Sequence, residues 1–95
     1  MPAKSEIIRW IETENGPIEK TIKVREFSPC IDVLGREYHT VIYSTHHPMM
    51  SDAPIRVHAI GAALKHAHAN AHEALAHAYN RITKQAGRRT QANDT

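Results

Sequence analysis

Residues 53–84, "APIRVHAIGAALKHAHANAHEALAHAYNRITK", decide the fold that the sequence predicts. Apolar residues recur in this stretch at steps of three and four. At about 100° per residue, such steps keep the apolar side chains on one stripe of a helix. Alanine, which has the highest helix propensity, fills much of the remaining surface. We therefore predict one long helix over residues 53–84, with a stripe made of Val57, Ile60, Leu64, Ala67, Ala71, Leu75, Ala78 and Ile82.

Both ends of this predicted helix carry boundary signals. Asp52 is a good N-cap residue, and Pro54 is tolerated in a first turn because its missing N–H would be unpaired there. After Lys84 the chain is polar and without periodicity, which predicts a flexible polar tail over residues 85–95. One alternative stays open: "PIRVHAI" (54–60) is also compatible with a strand, and the helical stripe would then begin only at Leu64.

The chain before the helix predicts antiparallel strands. "EIIRWIET" (6–13) is rich in β-branched and aromatic residues, and "IEKTIKVREF" (18–27) alternates between apolar and polar side chains. Between them, "ENGP" (14–17) contains Asn-Gly, a strong hairpin signal. "CIDVL" (30–34) and "EYHTVIYST" (37–45), joined by a Gly35-Arg36 turn, predict a second hairpin.

Together these elements predict an α+β fold. It is a three- or four-stranded antiparallel β-meander over residues 5–45, packed against the long C-terminal helix and joined to it by a loop at 46–52. The length of 95 residues predicts a single domain, placed at residues 1–84.

Composition indicates the compartment. The one cysteine, Cys30, permits no intramolecular disulfide, which fits a reducing environment. The first residues lack the apolar core of a secretory signal, and no apolar run approaches the roughly 18 residues of a membrane span. These features predict a cytoplasmic protein.

Charge is unevenly distributed. Residues 1–52 hold six Lys/Arg and eight Asp/Glu, a net charge of −2, whereas residues 53–95 hold six against two, a net charge of +4. Such an asymmetry suits self-association or an acidic partner. The basic residues Lys65, Arg81, Lys84, Arg88 and Arg89 give an alternative function, in which the helix and tail contact nucleic-acid phosphates, although no aromatic platform accompanies them.

Five of the eight histidines lie between His58 and His77. His68 and His72, four residues apart on a helix, could share one metal ion, but zinc needs three or four ligands. The others would come from His46, His47 or a second chain. "HEALAH" (72–77) does not match the HExxH zinc motif, because its histidines are five residues apart. Solvated helix-surface histidines, or a pH-responsive set, are the alternatives. The sequence predicts no cofactor.

Three features favour a protein interface. Ala62, Ala69 and Ala76, spaced by seven, predict a smooth seam on the helix face away from the sheet, where a second helix could pack; alanine for helix propensity alone is the alternative. Trp10 is either an outward interface anchor or, as we favour, a core residue. Met49 and Met50 in the predicted loop are either an adaptable contact surface or packing under the helix end.

No catalytic motif is present. The chain has no Gly-rich phosphate loop, and Cys30 and His39 lack a third, orienting group. In size and layout the chain resembles phage-borne inhibitors of the anti-CRISPR kind and, more distantly, small HicB-type antitoxins. That resemblance implies a non-enzymatic protein that binds and regulates a partner protein. We therefore predict an inhibitor or regulator of this kind, homodimeric through its helix.

Overall fold

The computed structural model describes residues 3–93, and the side chains of residues 4–50 and 52–86. Its elements are β1 (Ala3–Thr13), β2 (Gly16–Glu26), β3 (Cys30–Ile31), β4 (Glu37–His47), β5 (Met50–Gly61) and α1 (Leu64–Asn93). The predicted α+β class is confirmed: an antiparallel sheet packs against one C-terminal helix. The sheet has five strands, because a strand that the sequence pattern assigned to the helix is added.

β4 is the central strand of the sheet. β1 pairs with β2 along its whole length, and β2 pairs with β4 from Lys23↔Ser44 to Glu26↔Val41. The short β3 continues along the same edge of β4, whose other edge pairs with β5. The two long outer strands of the sheet are therefore β1 and β5.

The prediction that a helix spans residues 53–63 is wrong, and the strand alternative for "PIRVHAI" is the observed structure. Val57 and Ile60, three residues apart, fit a helical period, whereas Ile55, Val57 and Ala59 fit a strand period of two. In the structure these last three alternate with exposed residues and pack against the core. The buried stripe of the helix begins at Ala67, because Leu64 is 37% exposed. Without this strand the second edge of β4 would lack hydrogen-bond partners.

The predicted loop over residues 46–52 is also wrong. The chain reverses within two residues, Pro48 and Met49, and the ladder between β4 and β5 shifts register just beyond this turn. Asp52 and Pro54 lie on β5 and do not start a helix. Pro54 and Ile60 are an even number of residues apart on β5, so their backbone polar groups face the same side of the strand. The Ile60 carbonyl points away from β4, where it accepts a hydrogen bond from Asn70. The missing N–H of Pro54 therefore removes no hydrogen bond from the ladder between β4 and β5.

The helix extends further than predicted. The predicted flexible tail over residues 85–95 is wrong for residues 85–93, because these residues continue the helix. Residues 94–95 lie outside the described range. Gly87 does not end α1: one glycine costs only about 1 kcal/mol relative to alanine, and glutamine, alanine and arginine around it are good helix formers. No helix within residues 3–93 has the length and apolar character required to cross a lipid bilayer.

The core lies between α1 and the inner face of the sheet. Ala67, Ala71, Leu75 and Tyr79 recur every four residues and form the buried stripe of the helix. They pack on inward side chains of four strands: Ile11, Ile22, Val24, Val41, Tyr43 and Ile55. The opposite surface, here called the outer face, is covered by no helix within residues 3–93. It carries the even-numbered residues of β1 and β4, the even-numbered residues of β5 beyond the register shift, and the odd-numbered residues of β2.

Gly61 sets the sharp connection from β5 to α1. A Cβ atom at this position would lie 2.5 Å from the backbone nitrogen of Ala67 and 2.8 Å from the carbonyl carbon of His66. Both are backbone atoms of the first turn of the helix, so a side chain could not be accommodated without moving that turn. The absent side chain lets the helix fold back directly onto the sheet.

Side chains of α1 also bond to the carbonyls of both outer strands. Asn70 Nδ2 donates to the Ile60 carbonyl on β5 at 2.9 Å, and Asn80 Nδ2 donates to the Glu12 carbonyl on β1 at 2.8 Å. His72 Nε2 lies 3.0 Å from the Trp10 carbonyl on β1. The helix therefore joins the two edges of a curved sheet and occupies edge acceptors that could otherwise pair with another chain.

Candidate functional site

Three highly exposed apolar side chains form what is here called the hairpin tip: Ile31 at the end of β3, and Val33 and Leu34 in the turn between β3 and β4. Their exposed fractions are 66%, 101% and 70%. None of them contributes to the buried core. Folding of the chain does not require apolar residues at these positions, so their presence calls for an explanation other than stability.

The tip is a well-formed turn. The Gly35 N–H donates to the Asp32 carbonyl at 3.0 Å, and Gly35 has a φ of 79°, so "DVLG" (32–35) is a tight turn that ends in a left-handed glycine. The Asp32 carboxylate accepts hydrogen bonds from the Leu34 N–H at 2.8 Å and the Arg36 N–H at 2.9 Å. Val33 and Leu34 are thereby held outward.

Asp32 is ionised in this arrangement. The hydrogen bond from the Arg36 backbone N–H, helped by those from the Leu34 N–H and the Arg36 side chain, holds the pKa of the Asp32 carboxyl below its ordinary value, against a smaller opposing effect of burial. Arg36 Nε completes the set with a bond of 3.1 Å to Asp32 Oδ2. A turn ordered in advance loses little conformational entropy when it binds, which favours its use as a recognition element.

The sequence contains a signal for this tip in the spacing of Asp32 and Gly35. The predicted Gly35-Arg36 turn, with Val33 and Leu34 on the preceding strand, is wrong, because the turn is formed by residues 32–35. Asp at the first position and Gly at the fourth are typical of a type I turn, and this spacing places Val33 and Leu34 at its two central positions. Apolar residues at turn centres are the unusual feature that could have identified the site.

The predicted alanine seam does not form one surface. Ala69 is exposed on α1, but Ala62 lies in the link before the helix, and Ala76 packs against the core. The seam depended on a helix that included residue 62, and with the helix starting at Leu64 its first member is lost. The structure therefore removes the geometric basis for two helices packing through this seam.

Of the other three predicted interface residues, two are exposed and one packs against the core. The favoured core position for Trp10 is wrong: Trp10 is 57% exposed on the outer face, because Ile11 takes the inward position on β1. Met49, in the turn, is exposed, whereas Met50 packs against the core. Trp10 and Met49 are therefore available for contact, although they lie apart from the hairpin tip along their strands.

The two histidines of the predicted metal pair have different partners. His68 Nδ1 lies 2.6 Å from the Tyr43 hydroxyl and His68 Nε2 lies 2.7 Å from Glu26 Oε2, while His72 contacts the Trp10 carbonyl. Both ring nitrogens of His68 are thus occupied by protein groups. Within residues 3–93 no three His, Cys, Asp or Glu side chains come together as a metal site.

The Tyr43–His68–Glu26 chain has the outline of a catalytic triad. Burial, as the largest effect, raises the pKa of the Tyr43 phenol; Glu26 adds to this and Arg9 opposes it. A nucleophile needs the opposite shift, so this phenol is a hydrogen-bond donor at neutral pH and not an activated oxygen. The chain links α1 to β2 and β4, and it satisfies polar groups at the edge of the core.

His47 forms a second polar link between sheet and helix. Its Nδ1 accepts a hydrogen bond from the Met49 N–H at 3.0 Å, so the ring proton is on Nε2, which donates to Thr83 Oγ1 at 2.7 Å. The Thr83 hydroxyl donates in turn to the Tyr79 carbonyl at 3.2 Å. Because Nδ1 is an acceptor here, the geometry requires a neutral imidazole.

We expect the stability of the protein to fall below about pH 6.5 because of His47. Burial, with a smaller effect of the Lys20 charge, lowers the pKa of His47 in the folded state. The unfolded state therefore takes up a proton first as the pH falls. The His47 contribution is complete above the unfolded pKa and is lost as the pH decreases from there towards the folded pKa.

Urea unfolding at pH 7.5 and pH 5.0 measures this effect. His47→Gln should reduce the pH dependence, while the control His66→Gln, which changes an exposed histidine of α1, should leave it as in the wild type. An equal pH dependence in wild type and His47→Gln would contradict the proposed role of His47.

A cleft of about 730 Å³ lies between the β1–β2 turn and the second half of α1. Glu12 and Glu14 line one side, and Arg81 and Lys84 line the other. These opposite charges balance, so the cleft favours neither an anion nor a cation and identifies no ligand class.

Among the side chains that the structure describes, the basic residues of the predicted nucleic-acid surface do not cluster. Lys65, Arg81 and Lys84 are exposed along α1, with Lys65 in the first turn and the other two in the second half. The side chains of Arg88 and Arg89 lie outside the described residues. The described part of the helix therefore presents separated cations.

Comparison of the chain with protein-family models gives no match, and comparisons with curated proteins and with solved structures give no significant match. The assignment of function therefore rests on the geometry of the chain itself.

Proposed function

We propose that this protein is a non-enzymatic protein–protein interaction module that regulates a partner protein by binding it through the hairpin tip. The observation that carries the proposal is the exposure of Val33 (101%) and Leu34 (70%) in a turn that is fixed by Asp32 and Gly35. Residues of this kind contribute nothing to the core of the monomer and become favourable when a second protein covers them.

The expected gain on binding is substantial for so small a surface. Full burial of a valine or leucine side chain contributes about 1.5–3 kcal/mol. Two such side chains at the centre of an interface match the pattern in which a few buried residues supply most of the affinity. A projecting tip of this shape fits a concave apolar pocket on the partner better than a flat surface.

Two further exposed apolar side chains lie on the sheet and the helix behind the tip. Ile60 is exposed on β5 and pairs with Thr40, and Leu64 begins α1 a few residues later. A partner that covers both the tip and this end of the sheet would bury them as well.

Site-specific photo-crosslinking in the native host tests the proposal. A photoreactive amino acid replaces Leu34 at the tip or, as the matched control, Glu73 on the exposed side of α1. We expect a discrete crosslinked species from position 34 only, and we expect Val33→Ser to reduce its yield strongly. Light scattering of the purified chain shows whether the partner is a second copy or a different protein.

Two results would count against this function. The first is crosslinking of equal yield and pattern from positions 34 and 73, which would indicate random collision. The second is the absence of any crosslink from position 34 while the chain is folded and expressed at its native level.

A further inference from the structure

The outer face of the sheet is unevenly charged along its strands. Four cationic side chains lie in two adjacent rows across the sheet: Lys4 and Arg25 in one row and Lys23 and Arg56 in the next. Glu6, opposite Lys23, is the one carboxylate in these rows, which leaves a net charge of +3 without the histidines. Glu12 and Glu19 lie towards the other end of the face.

These cations are not neutralised inside the molecule. The ion pairs among described side chains join Arg36 to Asp32, His68 to Glu26 and His77 to Glu73, so none of the four takes part in one. Lys4, Lys23 and Arg56 are exposed. Each therefore remains available to an external anion.

Aromatic side chains accompany the cationic rows. The Arg25 guanidinium lies over the Phe27 ring, with 5.4 Å from Cζ to the ring centroid, and Tyr38 follows on the same face towards the hairpin tip. Phe27 and Tyr38 are half-buried, and the exposed Trp10 lies further along β1. An open sheet with cations and aromatic rings is the arrangement on which unpaired bases stack while phosphates meet positive charge.

We infer that this part of the outer face, defined by Lys4, Lys23, Arg25 and Arg56, binds single-stranded nucleic acid. The inference goes beyond the protein-binding role of the hairpin tip and uses other residues. It also differs from the helix-based surface that the sequence indicated, because its cations lie on strands and on the opposite side of the sheet from α1.

Fluorescence anisotropy with a labelled oligouridylate or oligothymidylate tests the inference as a function of salt. If four phosphates are neutralised, the slope of log K against log salt concentration should be about −2.8, at about −0.7 per phosphate for a single strand. Lys23→Ala and Arg56→Ala should each weaken binding and reduce the magnitude of the slope by about 0.7.

Arg81→Ala and Lys84→Ala are the matched controls, because each removes one positive charge from α1, on the other side of the molecule. We expect both to leave the slope unchanged. Inorganic polyphosphate and a DNA duplex serve as competitors without accessible bases, and we expect each to compete at least tenfold less well than the single strand. Uridylate and thymidylate oligomers show whether RNA or DNA is preferred.

The inference is overturned if no oligomer binds at 50 mM salt, or if the helix variants reduce the slope and the strand variants do not. Competition by polyphosphate or duplex as strong as by the single strand would overturn it as well, since the face would then respond to charge alone. The Leu34 crosslink is a separate readout, so failure of one proposal leaves the other intact.

Discussion

Leu75→Ala is expected to lower the free energy of unfolding by about 2–5 kcal/mol. Leu75 is completely buried at the centre of α1 and belongs to the core cluster that joins the helix to the sheet. Removing its side chain loses the transfer free energy of the deleted groups and leaves a cavity. The neighbours on the helix, Ala71 and Tyr79, cannot fill that space, because one is small and the other is held in contact with His47.

Urea unfolding followed by circular dichroism measures this loss. Leu64→Ala is the matched control, because it makes the same chemical change at the start of the same helix, where the side chain is 37% exposed. It should cost less than half as much. Equal destabilisation by the two variants would contradict the position of the core.

Gly61→Ala is expected to lower the free energy of unfolding by about 3 kcal/mol, the upper end of the usual range for adding a group to a packed site. The added methyl group would meet the Ala67 nitrogen, the His66 carbonyl carbon and the His66 Cβ, at 2.5–2.9 Å. Backbone atoms cannot rotate away as a long side chain can. The first turn of α1 must therefore shift from the sheet or the end of β5 must distort.

Two further variants make this expectation specific. His66→Ala should not rescue Gly61→Ala, because alanine keeps every His66 atom that obstructs the new methyl group. Gly16→Ala also adds a methyl group, but into open space at a φ of 103°, so it should cost only about 1–2 kcal/mol of backbone strain. A free energy of unfolding unchanged by Gly61→Ala would contradict the close approach of strand and helix.

Much of the fold follows from local patterns. The alternation in "IEKTIKVREF" and the Asn-Gly signal predict the first hairpin, and the alanine-rich stretch after Leu64 predicts the helix. Residues 54–60 are ambiguous because Val57 and Ile60 fit a helical period of 3.6, whereas Ile55, Val57 and Ala59 fit a strand period of 2. The strand is favoured by the open edge of β4, a partner distant in sequence that a local pattern does not contain.

The site was less accessible to prediction for the same reason. Alternation on β1 requires that either Trp10 or Ile11 faces inward, but the choice depends on which side the helix covers. The alanine seam was an extrapolation of helical geometry across residues that form a link. The outer-face cations come from three strands, at position 4 on β1, positions 23 and 25 on β2 and position 56 on β5, and the strand registers bring them together.

The most direct test of the proposed function compares Leu34→Glu with Ala69→Glu. Both introduce one carboxylate at an exposed site, the first at the hairpin tip and the second on the helix surface that the sequence pattern indicated. The measured quantity is the amount of the partner, identified by crosslinking from position 34, that copurifies with each variant. We expect Leu34→Glu to reduce it at least tenfold and Ala69→Glu to leave it at the wild-type level; the reverse order would contradict binding through the hairpin tip.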